Sequence, residues 1–183
     1  MTVQVWYTKR NILDFEKSTV IVNAANAKLA AGGGVCGVIH KAAGPLLAQE
    51  CGDIIKKRRK PIKTGSCVLT HGYSHCFNII HAVGPIYDNY DVHDACKLLS
   101  KTYTSVLRTC KNMKARTVVI PAISTGIYGF PIHSATLVAL NACWYFQINN
   151  PQLHMNILLS AFSAEIQNKF EELEVALHPD ERP

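Results

Sequence analysis

Short runs of β-branched apolar residues alternate along this chain with longer stretches in which apolar side chains recur every third or fourth position. TVQVWY (2–7) alternates with the period of a half-buried strand, whereas STVIVN (18–23) is a β-branched run suited to a strand covered on both faces. A helix is predicted from Val35 and a second from Pro45 to Lys60, where one proline fits the first turn and Pro61 stops the helix. SCVLT (66–70) and CFNIIHAV (76–83) read as strands joined by the short connection HGYSH. The clearest helix spans Asp91 to Met113, with Val92, Cys96, Leu99, Tyr103, Val106, Cys110 and Met113 on one face of a 3.6-residue repeat. RTVVIPA (116–122) is a further buried strand, followed by a helix striped with Ile132, Ala135, Val138, Ala142 and Tyr145. A strand at MNILLSA (155–161) leads to a last helix whose stripe is Ile166, Phe170, Leu173 and Leu177.

This alternation predicts an α/β fold, a three-layer α/β/α sandwich around a mixed, mostly parallel sheet. One domain over residues 1–177 accounts for it, with 178–183 as a loose tail. The apolar runs are too short to cross a bilayer, and no basic segment followed by an apolar signal core opens the chain. The expectation is an intracellular monomer, cytoplasmic or also nuclear. Seven cysteines, an odd number without any CxxC, favour free buried thiols over a disulfide framework. The formal charge of +6 favours a phosphorylated or polyanionic partner, but Lys56, Lys57, Arg58, Arg59 and Lys60 supply five of the nineteen basic residues. That run suits a solvated helix C-terminus as well as it suits an anion-binding patch.

Candidate chemistry lies where strands hand over to helices, the place at which open α/β sheets bind ligands. Between the strand ending near Val22 and the helix from Val35 runs NAANAKLAAGGG. Its three glycines let main-chain N–H groups approach an anion or a sugar, and the helix N-terminus behind them adds positive potential. The amides of Asn23 and Asn26 carry donors and acceptors that a core position would have to satisfy. A second loop, STGIYGFP (124–131), offers the N–H groups of Ser124, Thr125, Gly126 and Ile127 and the ring of Tyr128. Two such loops on one sheet edge fit a diphosphate held between them. Cys67, His71, His75 and Cys76 are metal-ligand types around one turn, but their spacing is no recognised closed site, so no metal is assigned. His40 and His81 read as structural histidines.

The phrases VIVNAANAKLAAGGGVCGVIHKAAGP (20–45), IIHAVGPIY (79–87) and VVIPAISTGIYGFP (118–131) resemble the macrodomain family in order and spacing, over about residues 3–176. The resemblance extends to its MacroD-type, viral and poly(ADP-ribose)-polymerase-associated members. It implies a six- or seven-stranded sheet between helices and an ADP-ribose cleft at the strand ends, with no cofactor. Carried over position by position, it places Asn11 and Ile12 at the adenine, with Phe162 packed on the base. Asn11 stands where the family usually has aspartate, which removes the charge from that hydrogen bond, a difference of roughly 1 kcal/mol. Ala24, Asn26, Gly32, Gly33, Gly34 and Val35 fall along the distal ribose and diphosphate. Ser124, Thr125, Gly126, Ile127 and Tyr128 form the second phosphate loop.

The resemblance implies a catalytic set of Asn26, Gly34 and Tyr128. Cys36, placed with the ligand-binding residues, replaces the aspartate that MacroD-type hydrolases carry in G-V-D-G, which removes the obvious base and leaves two readings: a small packing residue, or a helix N-terminal thiol that takes part in the chemistry. Two functions follow. One is hydrolysis of mono-ADP-ribose from acidic side chains, or of related ADP-ribosyl esters; the other is a reader of ADP-ribose without turnover. The implied partners are ADP-ribose and mono-ADP-ribosylated proteins, with the basic run at 56–60 as a contact for poly(ADP-ribose) or RNA.

Overall fold

The computed structural model describes residues 3–15, 19–74, 78–161 and 163–177. Six strands form one sheet: β1 (Gln4–Thr8), β2 (Val20–Ala24), β3 (Ser66–His71), β4 (Asn78–Val83), β5 (Thr117–Pro121) and β6 (Asn156–Ser160). Their spatial order is β1-β6-β5-β2-β4-β3, and every pair is parallel except β3 with β4. The antiparallel edge pair is the one the short connection HGYSH predicts, because a parallel pair would need a longer crossover.

Among the described residues, five α-helices complete the layers: α1 (Gly34–Ala43), α2 (Pro45–Arg58), α3 (Val92–Asn112), α4 (Ile132–Ile148) and α5 (Ala164–Leu177). Strand alternation sorts the core into two halves. Val20, Val22, Ile80, Val118 and Ile120 face Leu99, Tyr103 and Val106 of α3 and Ala135 and Ala139 of α4. Ile21, Ile79 and Val119 face Ile39, Leu47 and Cys51 of α1 and α2. Ile166 and Phe170 of α5 join the first half. The side chains of Leu173 and Leu177, and the 178–183 tail, lie outside the described residues.

The helix ends follow local chemistry. Asp91 caps α3 by accepting from the Asp94 N–H at 2.8 Å. Arg59 takes the left-handed conformation and ends α2, its N–H donating to the carbonyls of Ile55 and Lys56. The exposed basic run therefore sits at a helix C-terminus, where cations are favoured.

This topology positions the site. Strands β2 and β5 are direct neighbours and parallel, yet β2 leads into α1 on one face while β5 leads to α4 on the other. The loops leaving their carboxyl ends diverge and open a crevice, the topological switch point of a doubly wound sheet.

Candidate functional site

A cavity of about 330 Å³ occupies that crevice. The first loop lines it with Asn26, the three glycines Gly32, Gly33 and Gly34, and the first helical residues Val35 and Cys36. Ser124, Thr125, Gly126, Ile127 and Tyr128 line the opposite side. Ala24 lines it too, together with Ala25, Ala82 and Gly84. The sequence thus brings both predicted loops to one cavity.

Helix α1 starts at Gly34 with no side-chain cap on its N-terminus and no acidic residue in its first turn. Its leading N–H groups and the positive end of its dipole are left for an anion in the cavity. Gly37 fixes how closely the helix packs on its own entry loop: a Cβ there would lie 2.4 Å from the Gly32 carbonyl oxygen. The third glycine, Gly34, takes φ +56°, a left-handed conformation that side chains resist.

Asn26 shapes the loop between β2 and the glycines. Its Oδ1 accepts from the N–H groups of Lys28 and Ala30 at 3.1 and 3.2 Å, and its Nδ2 donates to the Ala30 carbonyl at 2.7 Å. One amide therefore closes the turn and faces the cavity.

The second loop is held by its own backbone. Gly129 N–H donates to the Gly126 carbonyl, Phe130 N–H to the Ser124 carbonyl, and Tyr87 N–H to the Tyr128 carbonyl, each at 2.9 Å. Ser124 sits at φ +69°, costly for a residue with a Cβ, and such strain collects at functional turns. Its hydroxyl is buried in the cavity wall without a hydrogen-bond partner. Burial, with a lesser contribution from the Cys36 thiol, pushes the Tyr128 pKa up, so its phenol stays a proton donor. Ile127 is 85% exposed and leans over the first loop, 3.4 Å from where a Gly33 Cβ would stand.

The adenine-end residues lie apart from this cavity. Asn11 is exposed and its Oδ1 accepts from the Leu13 N–H at 3.0 Å, while the Ile12 side chain is buried in the α1–α2 half of the core. Phe162 falls outside the described residues. Sequence reasoning missed the cavity's apolar back wall of Ala82, Gly84, Pro121, Ala122 and Ile123. Small residues at strand ends carry no periodic or chemical signal; only the phrases IIHAVGP and VIPA hint at them.

Behind the cleft lies a buried polar group. His81 is fully buried; its Nε2 lies 2.9 Å from Thr70 Oγ1 and its Nδ1 3.1 Å from Asn23 Nδ2. The sequence reading of His81 as a structural histidine agrees with this. His40 is buried, but unlike a satisfied structural histidine neither ring nitrogen has a hydrogen-bond partner. Its ring lies edge-on to His81 at 6.0 Å. Cys51 Sγ is 3.8 Å from His81 Nε2, and one potential ligand atom from each of His40, Cys51 and His81 falls within 4.8 Å of the others. These three are the described residues that could hold a metal ion. Thr70 already engages the His81 nitrogen nearest the sulfur, and burial pushes the Cys51 thiol up to about 11, so the thiol keeps its proton and the group reads as neutral buried side chains. Cys67 and His71 do not meet: Cys67 contacts the Ser105 and Thr109 hydroxyls, whereas His71 pairs with Glu50. His75 and Cys76 lie outside the described residues.

Burial first, and then the neighbouring His40, lower the His81 pKa to about 4; Glu50 opposes weakly. Burial lowers that of His40 as well. An unfolded histidine titrates near ~6.5, so between about pH 4 and 6.5 the unfolded chain binds more protons than the folded one. The stability held in the neutral His81 ring is complete above pH ~6.5 and is lost as pH falls towards 4, by about 3 kcal/mol. Melting curves should show the wild type losing stability over this window and His81→Gln losing distinctly less; parallel slopes would contradict the assignment.

The Macro domain family model matches residues 22–139, and the chain belongs to that family. It is 40% identical over 146 residues to O-acetyl-ADP-ribose deacetylase 1 of Pantoea vagans, covering 79% of this chain and 84% of that protein. It is 44% identical over 122 residues to human ADP-ribose glycohydrolase MACROD2, covering 66% of this chain and 28% of that longer protein. The fold superposes on a glycine-to-valine mutant of the Oceanobacillus iheyensis macrodomain with ADPR at a TM-score of 0.86 and 32% identity, covering 96% and 93% of the two chains.

Proposed function

We propose that this macrodomain binds ADP-ribose across the β2–α1 and β5–α4 loops and hydrolyses mono-ADP-ribose from acidic side chains or related ADP-ribosyl esters. The observation that carries the reading is the pairing of two donor-rich loops on one cavity: an uncapped helix N-terminus on one side and the partnerless Ser124 hydroxyl on the other. A diphosphate between them satisfies both. The names of the Pantoea and human relatives and the ADPR-bound bacterial structure support the same ligand.

Among the described residues, the cavity lining contains no carboxylate and no imidazole. Such a site suits a substrate whose leaving group needs no protonation. A carboxylate, with an ordinary pKa near ~4.3, departs unaided from C1 of the distal ribose. Water attacks C1 as the C1–O ester bond breaks; the electron pair leaves with the carboxylate and the water's proton passes to solvent. The protein's contribution is orientation by Asn26 and donors around the diphosphate, aided by Tyr128. A glycosidic bond to an alcohol or amine lacks so good a leaving group and is a poor substrate here.

The same missing carboxylate favours the second reading, an ADP-ribose reader. Incubation with a protein mono-ADP-ribosylated on glutamate separates the two: steady loss of label is expected, and retained label with tight binding leaves the reader. Both readings predict that ADP-ribose at a hundred times its Kd stabilises the fold by about 2.7 kcal/mol. An unchanged melting temperature would remove both.

A further inference from the structure

The buried group behind the cleft connects to it through the residue that replaces the family's aspartate. Asn23, fully buried on β2, donates through Nδ2 to His81 Nδ1 at 3.1 Å and to Cys36 Sγ at 3.6 Å. These are the two hydrogens a primary amide has to give. With Nδ1 accepting, the remaining proton of the neutral His81 ring lies on Nε2, which donates to Thr70 Oγ1 at 2.9 Å. The Cys36 thiol in turn donates to the Ala30 carbonyl at 3.6 Å. That carbonyl is the acceptor of the Asn26 Nδ2 at 2.7 Å. An unbroken path of hydrogen bonds thus runs from the β3 edge, through the sheet, to the amide that faces the distal end of the cleft.

In this arrangement the thiol is the group in the path that both accepts from the sheet and donates to the loop, and Asn23 Oδ1 is left buried without a partner. A carboxylate at position 36 could accept from Asn23 but would repel the Ala30 carbonyl instead of holding it. The position also has no room for idle polarity: Cys36 is 7% exposed and belongs to the first turn of α1.

We propose that Cys36 is a hydrogen-bond coupler, passing the orientation set by His81 and Asn23 to Ala30 and so to Asn26, which makes these three side chains positioning residues for the reaction. The inference rests on the hydrolase reading for its kinetic test, but the coupling itself concerns the Asn26 amide and can be read without turnover. Because the links act in series, breaking one loses what breaking two would lose.

The test compares Cys36→Ala, Cys36→Ser, Asn23→Ala and the double variant Asn23→Ala/Cys36→Ala on a glutamate-linked mono-ADP-ribosylated protein. Loss of one modest hydrogen bond in the path is expected to lower kcat about five-fold, with KM and ADP-ribose affinity within about two-fold of wild type. Serine, which still donates and accepts, should recover most of what alanine loses, and the double variant should turn over no more slowly than the slower single. Equal rates for Cys36→Ala and Cys36→Ser, a change in KM alone, or losses that multiply in the double variant would each overturn the coupling. His81→Gln, able to accept from Asn23 and donate to Thr70, should exceed His81→Leu in kcat at equal thermal stability. Should wild type prove to lack turnover, the hydrolase reading falls by itself, and the coupling is decided by the Asn26 side-chain amide resonances of the ADP-ribose complex. Displacement of those signals in Cys36→Ala and Asn23→Ala supports it; unmoved signals refute it.

Discussion

Replacing Asn26 with alanine is expected to lower turnover by at least about a hundredfold while weakening ADP-ribose binding far less. The side chain is placed for two tasks. Its three hydrogen bonds to Lys28 and Ala30 hold the turn between β2 and the glycines, and the same amide lines the cavity beside Gly32. On the proposed reading, alanine removes the group that positions the reacting sugar and at the same time loosens the loop that carries the phosphate donors. The same reading puts most of the binding contacts on main-chain N–H groups of both loops, so affinity is expected to survive better than rate. Single-turnover rates set against calorimetric affinities check this: a Kd that collapses in step with the rate would show Asn26 to be a binding group only.

Gly84→Ala is expected to cost more than tenfold in ADP-ribose affinity, together with roughly 1–3 kcal/mol of stability. Gly84 follows β4 and lines the cavity from behind. A Cβ there would stand 2.2 Å from Ser124 Oγ and 2.7 Å from Ile123 Cγ2. The serine oxygen can rotate away; the Ile123 methyl, on a β-branched side chain 1% exposed, cannot. The backbone at 123–125 must therefore move, and with it the strained Ser124 turn and the N–H groups that follow. Gly52→Ala is the matched control: it lies inside α2, meets nothing within 4 Å, and should raise stability by about 0.5–1 kcal/mol through helix propensity. Wild-type affinity in Gly84→Ala would mean that the second loop does not grip the ligand.

Much of this was legible in the residues alone, for identifiable reasons. Long helices announce themselves by period, and the stripe from Val92 to Met113 matches α3 to within a residue at each end. The β-branched run at 18–23 forecast β2, the strand paired on both sides at the sheet centre. Glycines marked both loops and asparagines the first, although Asn23 proves to be fully buried near the end of β2. What the sequence hid were relations across distance. The adjacency of β2 and β5, separated by almost a hundred residues, decides that the two loops share a crevice. The link from His81 to Asn23 crosses 58 positions, and the role of Cys36 depends on a carbonyl, at Ala30, that no side-chain pattern reveals. Hence the sequence leaves Cys36 with a packing and a chemical reading, whereas its sulfur has a polar partner on either side.

The central claim is that one ADP-ribose molecule places its diphosphate between the first turn of α1 and the 124–128 loop. Titration of the isotopically labelled protein with ADP-ribose, followed through backbone amide resonances, tests it most directly. The signals of Gly33, Gly34 and Val35 should move together with those of Thr125, Gly126 and Ile127, all saturating with a single Kd at one equivalent. Saturable movement confined to one loop, or none in either, would contradict the account.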